Sequence, residues 1–515
     1  MINFIKNSPF IFLTLTCLLF FISAGMFFSG HYINASCADF IIITLFLLFL
    51  QKKFIDCIVV IWVALLSIVF YLTIFESNAF LLIIEISFVL WHLFKQKKTL
   101  FNLSSSIICL SFLLHLYYIQ STKVDFLQHD LSGIFAYINK LGENGFKKFN
   151  PWYMYYTFHQ PLNFILQRPI QSLGVLLFDA HSVANEGLQY LSLFYVTSAT
   201  IFVARILALF KFNKITYLGL LILYAFNPTL FLFTGYISND VAVLFWSAFT
   251  IYYLLMWYKK DLTRYILLTA IGFGLGTLSK LSMLLYVPAI SFVFLFKLLK
   301  KDNKEETIKA ISLFIIVAVP ISLLWIIRNH ILFDMQFYNI PDTSPGGQNF
   351  HDLSLFERLT DVSMLFTPFI NAPYINDANM ILAIIKTELF GEWDFRLFNR
   401  SIEPLAIVIY FINIMIKTVS FIGFIKLLFN LKTYNNIYAI LFITIWVLSW
   451  GYMIKYTMDL PYVCSSDYRL FTSIMLAENF ILGSLFSKNK TAQYILLAVS
   501  IAYAMMSSLI YVFIS

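Results

Sequence analysis

The chain has 515 residues, of which 60% are apolar and 19% aromatic but only 12% charged. An ordinary soluble domain is about 25% charged, so a water-soluble globule could not bury this much apolar surface. Apolar runs of about 18 or more residues recur along the whole length, and a run of that size spans the hydrocarbon layer of a bilayer when it forms a helix. The composition excludes a soluble fold and predicts an all-α, polytopic transmembrane helix bundle.

The formal net charge of +8 does not indicate a nucleic-acid partner, because the lysines stand in short clusters between apolar runs. This pattern is typical of the positive-inside rule and predicts that the partner surface is a lipid bilayer. The five cysteines show no paired spacing and give neither a metal nor a disulfide signature.

Four spans are predicted before residue 100. They are expected at about 9–28, 38–50, 54–75 and 79–94. The apolar run after Lys6 is too long for a signal-peptide core, so we interpret it as a retained first helix. Lysines follow the second and fourth spans but not the first and third, so the N-terminus is predicted to be cytoplasmic.

A fifth span at about 100–119 leads into a long segment, about 120–186, that this topology places outside. An amphipathic helix lying in the membrane interface is predicted over 131–142, and a second over 161–178 with a kink at Pro169. The apolar positions of the first recur at Ile134, Phe135, Ile138 and Leu141. An aromatic belt at headgroup depth is predicted at Trp152, Tyr153, Tyr155, Tyr156 and Phe158.

The remaining spans bring the predicted total to about 13–15. They are expected at about 187–209, 215–234, 241–258, 265–279, 281–298, 308–327, 403–427, 435–456, 468–486 and 492–514. The span 265–279 carries three glycines, which predict close helix packing. A second outside segment, about 328–402, has an irregular stretch at Pro341–Gly347 and predicts interfacial helices from Met364. The chain thus divides into N-terminal helices (1–99), a central module (100–402) that holds both outside segments, and C-terminal helices (403–515).

Polar side chains that this topology places on the outside face form a candidate site. They are His129, Asp130, His159, Arg168, Asp240, Lys280, Arg328, His330, Asp467, Tyr468 and Arg469. Cations at helix ends near the headgroups suit a phosphate, and an aspartate beside them suits proton abstraction from a hydroxyl. A histidine next to an aspartate also raises a metal site, but no second ligand follows at metal spacing. We therefore expect no cofactor and leave a metal ion open.

Each of these residues has a structural alternative. Arginines at span ends usually extend to the headgroups, which is the alternative for Arg328. Asp130 could be a solvated loop carboxylate, and His159 a loop histidine. Lys280 is harder to explain in this way, because it interrupts an apolar stretch on the side where positive charge is disfavoured.

The tripeptide Gln128-His129-Asp130, a tyrosine-rich stretch and then His159-Gln160-Pro161-Leu162 resemble the first periplasmic loop of bacterial GT-C glycosyltransferases that use polyprenyl-phosphate sugars. This group contains the protein O-mannosyltransferases and the aminoarabinose transferase of lipid A. Its second element commonly has two prolines after the histidine, and here Gln160 replaces the first. Further similar pieces, in the same order over about 115–480, are Ser238-Asn239-Asp240, Thr277-Leu278-Ser279-Lys280-Leu281-Ser282, Ile327-Arg328-Asn329-His330, Thr387-Glu388-Leu389-Phe390-Gly391-Glu392-Trp393 and Cys464-Ser465-Ser466-Asp467-Tyr468-Arg469.

The resemblance implies that the module 100–402 is catalytic, that Asp130 is the general base, and that Lys280, Arg469 and Arg328 hold the lipid phosphate. It also implies substrate contacts, which we assign to His129, His159, Gln160, His330, Asp467 and Tyr468. The implied reaction is an inverting transfer of one sugar from a polyprenyl phosphate to a glycan, lipid or protein acceptor. It would take place on the extracytoplasmic face of a bacterial plasma membrane and needs no nucleotide or redox cofactor. A flippase or transporter, or a polymerase of lipid-linked saccharides, is the alternative.

Overall fold

A computed structural model describes residues 100–153, 156–178, 181–299, 304–335, 350, 353–370, 377–429 and 437–515. The four predicted spans before residue 100, Tyr155 and the irregular stretch Pro341–Gly347 lie outside the described residues. Within these ranges the secondary structure is helical, without a strand. The helices are α1 (Leu100–Ser121), α2 (Leu131–Lys148), α3 (Leu162–Phe178), α4 (His181–Glu186), α5 (Gln189–Leu209), α6 (Lys214–Ala225), α7 (Pro228–Gly235), α8 (Asn239–Lys260), α9 (Thr263–Ser279), α10 (Val287–Leu299), α11 (Lys304–Phe333), α12 (Leu355–Thr360), α13 (Met380–Phe390), α14 (Glu403–Phe429), α15 (Ile437–Asp459), α16 (Ile474–Phe486) and α17 (Lys490–Ile514).

Nine stretches in the described part of the chain are long and apolar enough to cross a membrane. The predicted spans at 265–279 and 468–486 correspond to α9, which has 17 residues, and α16, which has 13. Every span predicted after residue 100 therefore has a helical counterpart. The chain is a polytopic helical membrane protein.

The span predicted at 215–234 consists of two helices. α6 ends at Ala225 and α7 begins at Pro228, because proline lacks an N–H and the residue before it avoids the helical conformation. The side chain of Asn227 caps α7 by accepting a hydrogen bond from the N–H of Thr229 at 2.9 Å. The same side chain donates to Glu388 at 3.0 Å, so the break also supplies a polar contact inside the bundle.

The helix α16 begins six residues later than predicted, at Ile474 instead of 468. Two short 3-10 turns, Val463–Ser466 and Tyr468–Leu470, occupy the intervening stretch. Tyr468 and Arg469 therefore lie, like Asp467, in a connection at the end of the bundle and not inside a span.

The bundle has an inner and an outer set of helices. α1, α5 and α8 are buried along most of their length, whereas α10, α11, α14 and α17 bury less than half of theirs. Their outward faces carry apolar side chains, which suits contact with lipid. α9 lies between α8 and α11: a Cβ at Gly272 would stand 2.5 Å from Phe249 on α8, and one at Gly274 would stand 2.8 Å from Ile321 on α11. The predicted close packing of this glycine-bearing helix is confirmed.

The first outside segment forms a small core of its own. α2 extends to Lys148, beyond the predicted end at 142, but is kinked at Gly145, whose φ of 63° is not helical. Ile134 and Ile138 are fully buried. They belong to an apolar cluster with Phe164 of α3 and Trp325 of α11. The apolar face of α2 is thus covered by protein.

The aromatic belt is present in part. Trp152 is 44% and Tyr153 is 56% exposed, as expected for side chains at an interface. Tyr156 is instead buried, with its ring beside His159 and Phe164. Tyr156 therefore belongs to the core of the first outside segment.

The second outside segment contributes a helix to the interior. α13, in the part where interfacial helices were predicted, is buried along nearly all of its length. Its Lys386 is fully buried and donates to Asp377 at 2.7 Å and to the carbonyl of Met364 at 2.9 Å. Because both charged groups are paired, the helix can lie inside the protein.

An ionic network ties α13 to α14 and α16. The ammonium of Lys417 lies 2.8 Å from Glu388 and 2.6 Å from Glu478. Asn413 donates to the same oxygen of Glu388, Oε2, at 2.9 Å. A cavity with room for about one water molecule adjoins these groups.

Replacing Lys417 by methionine is expected to destabilise the protein by about 3–5 kcal/mol, because two buried carboxylates lose their counter-charge. Thermal unfolding of the purified protein in detergent, followed by tryptophan fluorescence, measures the change. Lys426→Met is the control, since it removes an exposed lysine from the same helix. Equal unfolding midpoints for the two variants would contradict a stabilising role of the network.

Candidate active site

Five connecting segments meet at one end of the bundle. They are residues 122–130, 236–238, 279–280, 391–394 and 461–473. Each follows or precedes a helix, so side chains from distant parts of the sequence are brought together there.

His129 is the side chain that joins three of these segments. Its Nδ1 lies 3.6 Å from Oε2 of Glu392, and its Nε2 lies 3.9 Å from Oδ2 of Asp467. The ring of Trp393 lies beside the imidazole at 5.2 Å between centroids, and Tyr236 approaches it edge-on at 5.6 Å. The imidazole is therefore held between two aromatic rings and faces two carboxyl groups.

Gln128 attaches the His129 segment to the bundle. Its amide nitrogen donates to the carbonyl of Gly235, and its Oε1 accepts from the N–H of Ile237 at 3.4 Å. Leu127 and Asp130, on either side, have φ values of 53° and 55°. Residues with side chains seldom adopt this region, so the turn has a specific shape that is fixed by its contacts with the end of α7.

Asp240 and Lys280 form an ion pair at the ends of α8 and α9. Asp240 lies in the first turn of α8, where Ser238 caps the helix by accepting from the Asp240 N–H at 3.0 Å and donates to its carboxylate at 2.8 Å. Lys280 follows the last residue of α9. A Cβ at Gly276 would stand 2.9 Å from Trp246, so the glycine lets the two helices pack closely enough to place Lys280 beside Asp240.

Glu392 enters the site through a tight turn after α13. Gly391 has a φ of 59° and a ψ of −150°, a conformation that glycine adopts far more readily than other residues. A Cβ there would lie 3.1 Å from the hydroxyl of Tyr236. The turn therefore packs directly against the connection between α7 and α8.

Asp467 and Arg469 come from the connection before α16. Oδ1 of Asp467 accepts from the backbone N–H of Arg469 at 2.9 Å, and Oδ2 lies 3.2 Å from the Arg469 Nε. The N–H of Tyr468 between them donates to Thr387 of α13 at 2.9 Å. These bonds fix the connection against α13 and keep Arg469 close to the buried carboxylate.

A small cavity with room for about one water molecule lies between Asp240 and Arg469. Tyr286 and Ser473 are among its other lining residues. The cavity places a carboxylate and a guanidinium in contact with the same space.

Burial and mutual repulsion shift the titration of the acidic groups. Burial raises the pKa of Glu392 to about 7, and the neighbouring charge of Asp467 adds to the rise. Burial also raises the pKa of Asp467, although Arg469 opposes the shift. The pKa of His129 lies well below its ordinary value, chiefly because the ring is buried and also because Arg469 is near. The imidazole is therefore neutral at pH 7 and offers a lone pair.

Asp130 lies at the edge of this cluster, next to His129 in sequence. Its side chain is exposed, and its negative charge contributes to the raised pKa of Glu392. It precedes α2 but makes no side-chain capping bond to it. The carboxylate thus lies within electrostatic reach of the cluster and is open to solvent.

His159, the first residue of the element His159-Gln160, is affected by the charges of Lys280, Asp240 and Arg469. Burial lowers the pKa of His159 to about 4, and the positive charges of Lys280 and Arg469 contribute. The backbone carbonyl of His159 accepts from Tyr137 at 2.9 Å. Gln160 is 6% exposed, and its Oε1 accepts no hydrogen bond within the described residues. A buried acceptor of this kind suits a polar substrate group.

Arg328 and His330 have structural contacts at the end of α11. The Arg328 guanidinium donates to the carbonyl of Phe149 and, at 2.6 Å, to Asn329. It also lies over the rings of Trp325 and Phe333. His330 interacts through Nδ1 with the carbonyl of Met335 at 3.2 Å. Arg168 likewise donates to Gln171 on its own helix at 2.9 Å.

The ring of Tyr468 points into the bundle. Its side chain is fully buried, with the Lys417 ammonium 4.9 Å from the ring centroid. Lys417 also donates to the Tyr468 hydroxyl at 3.5 Å. Tyr468 therefore links the site to the ionic network of α13, α14 and α16.

Glu392 and Trp393 were absent from the set of site residues predicted from sequence. They were visible in the motif Thr387–Trp393 but could not be placed beside His129, because more than two hundred residues separate them in the chain. One atom each from His129, Glu392 and Asp467 lie within 4.8 Å of one another, which is a geometry that could hold a metal ion. Ligand spacing along the sequence gave no sign of this group.

Comparison with known proteins supports the motif analysis over the middle of the chain. Among curated proteins, none matches the chain significantly. A known protein family does match part of the chain, from residue 170 within α3 to residue 325 within α11. This stretch contains Asp240 and Lys280, whereas Asp130, Glu392 and Arg469 lie beyond it. Residues 170–325 match the family described as dolichyl-phosphate-mannose-protein mannosyltransferase, which confirms that the chain resembles the protein O-mannosyltransferase group of GT-C glycosyltransferases.

Proposed function

We propose that this protein is an integral membrane glycosyltransferase that moves one sugar from a polyprenyl phosphate to an acceptor hydroxyl. The family match supports a glycosyltransferase of this kind. The proposal places the reaction on the extracytoplasmic face of a bacterial plasma membrane, because the positive-inside pattern puts the segments of the candidate site outside.

The observation that carries the proposal is the meeting of Lys280 and Arg469 with carboxylates at one end of the bundle. Lys280 pairs with Asp240, and Arg469 lies 3.2 Å from Asp467. Asp130 stands at the rim of the same cluster. A lipid-linked sugar phosphate needs cations for its phosphate and a base for the attacking hydroxyl, and this cluster supplies both.

In the proposed reaction, the Asp130 carboxylate takes the proton of the acceptor hydroxyl as that oxygen attacks the anomeric carbon. The bond between the anomeric carbon and the phosphate oxygen breaks, and the polyprenyl phosphate leaves with the electron pair. Lys280 and Arg469 stabilise the charge that develops on the phosphate. A single displacement inverts the anomeric configuration, and the phosphate-bound sugar needs no further activation.

His159, Gln160 and His129 are proposed to contact the sugar. Gln160 has a buried acceptor atom available for a hydroxyl, and His159 lies in the field of Lys280. The contacts of Arg328 with Phe149 and Asn329 instead support a role in fastening the first outside segment to α11. The acceptor is a glycan, a lipid or a protein.

A transporter or flippase of lipid-linked saccharides is the second candidate, and the ionic network around Lys417 favours it. Ionisable groups inside a membrane bundle often belong to transport pathways. Here both carboxylates of the network are paired with Lys417, and the adjoining cavity holds about one water. These features support a structural network more than a path for a saccharide. A polymerase, the other alternative, would favour outside segments dominated by arginine.

Transfer in detergent separates these candidates. The purified protein is incubated with a panel of labelled polyprenyl-phosphate hexoses and pentoses and with a membrane extract as the source of acceptor. A transferase should release polyprenyl phosphate and label an acceptor without a sealed compartment, whereas a flippase has no activity under these conditions. Failure to consume any donor by the folded protein would contradict the proposal. Mass spectrometry of envelope glycans with and without the gene then identifies the sugar and the acceptor.

A further inference from the structure

The triad of His129, Glu392 and Asp467 differs from an ordinary cluster of surface acids. Asp467 is 2% exposed, and its Oδ2, which faces His129, accepts no hydrogen bond within the described residues. Oε1 of Glu392 and Nε2 of His129 are also buried atoms without a hydrogen-bond partner within the described residues. Oδ2 of Asp467 does have an ion pair with the Arg469 Nε at 3.2 Å. Buried polar atoms normally have partners, so the other two atoms leave a place for a ligand between the three side chains.

The distances suit a small cation. Bonds from zinc to imidazole nitrogen or carboxylate oxygen are about 2.0–2.2 Å long, so two ligand atoms of one tetrahedral ion lie about 3.4 Å apart. An imidazole binds an ion through one nitrogen, and one atom each from His129, Glu392 and Asp467 lie within 4.8 Å of one another, so a side-chain adjustment would bring the three to this spacing.

Acidic side chains also outnumber basic ones around His129, since Lys280 and Arg469 face Asp240, Glu392 and Asp467, with Asp130 at the rim. The Arg469 Nε beside Oδ2 of Asp467 also orients this carboxylate, as outer partners of metal ligands commonly do.

We infer that His129, Glu392 and Asp467 bind one divalent transition-metal ion of the Mn²⁺ or Zn²⁺ class. One imidazole nitrogen and two carboxylate oxygens form a donor set that suits these ions. Water or a substrate oxygen would complete the coordination, because the three side chains leave positions open. A bound ion would also add positive charge and make the site more attractive to a phosphate. The binding claim concerns only these side chains and does not depend on sugar transfer.

Direct binding to the full-length protein tests the inference. The protein is purified in detergent, stripped with EDTA, dialysed and titrated with MnCl₂, with bound Mn²⁺ followed by electron paramagnetic resonance. We expect one tightly bound ion per chain and its displacement by ZnCl₂. The variants His129→Asn, Glu392→Gln and Asp467→Asn should each weaken binding by at least about 100-fold, since even outer partners of metal ligands contribute 10–100-fold.

Glu403→Gln is the matched control, because it removes a partly exposed carboxylate that lies 3.5 Å from Arg396 and outside the triad. Elution volume and unfolding midpoint establish that each variant is folded. Pulsed measurements on the wild-type protein give a second readout that needs no variant, since an imidazole ligand couples its ¹⁴N nucleus to bound Mn²⁺.

Three results would overturn the inference. They are the absence of stoichiometric Mn²⁺ or Zn²⁺ binding by the folded wild-type protein, unchanged affinity in the folded triad variants, and bound Mn²⁺ without nitrogen coupling. Any of these would leave the triad as a proton-sharing group. None would bear on the proposed sugar transfer, which is measured separately by donor consumption.

Discussion

Replacing Asp130 by asparagine is expected to reduce sugar transfer by about 10²–10⁴-fold, which is the usual contribution of a general base. The amide has nearly the same shape as the carboxylate but cannot take a proton from the acceptor hydroxyl. Because the side chain is exposed, the substitution should leave the fold intact. The initial rate of label transfer from a polyprenyl-phosphate sugar in detergent measures the effect, with the unfolding midpoint recorded on the same sample.

Asp125→Asn is the matched control for this prediction. Asp125 is an exposed aspartate in the same connection, five positions before Asp130, and its substitution should leave the rate unchanged. If Asp130→Asn transfers sugar at the wild-type rate, another group must serve as the base. If both substitutions lower the rate equally, the effect arises from the charge of the connection and not from proton transfer.

Most of the fold could be predicted from composition and spacing, because spans of a bilayer require long apolar helices. The two main differences have local causes. The helix break at Asn227–Pro228 could have been predicted from the proline, but the surrounding apolar run resembles one continuous span. The late start of α16 could not be predicted, because residues 468–473 are apolar enough to belong to a span. A hydrogen bond from the N–H of Tyr468 to Thr387 of α13 instead holds the start of this stretch in a 3-10 turn.

The sequence could predict the part of the site whose residues share one face of the membrane because of the topology alone. Alternation of inside and outside loops places Asp240 and Lys280 on the same face, and the structure joins them. The approach of Glu392 to His129 depends on the turn at Gly391 and on packing against Tyr236, which sequence spacing does not encode. The same limit applies to Tyr468, whose inward orientation follows from its contact with Lys417.

Replacing Lys280 by methionine is expected to lower sugar transfer by about 10²–10³-fold, the usual loss when one electrostatic contact to a developing anion is removed. The single variant also leaves Asp240, which is largely buried, without its main counter-charge, so a loss of activity could come from misfolding.

The double variant Lys280→Met, Asp240→Asn separates these two causes. It removes the ion pair without leaving an unpaired charge, and its unfolding midpoint should return close to the wild-type value. If Lys280 acts on the phosphate, the double variant stays at least about 100-fold less active than the wild type. If Lys280 serves only to neutralise Asp240, the double variant recovers activity together with stability, and the phosphate role is wrong. The pair Lys297–Asp261 at the opposite end of α8 provides the control: Lys297→Met, Asp261→Asn should leave the rate of transfer unchanged, because that ion pair is a helix length away from the proposed phosphate.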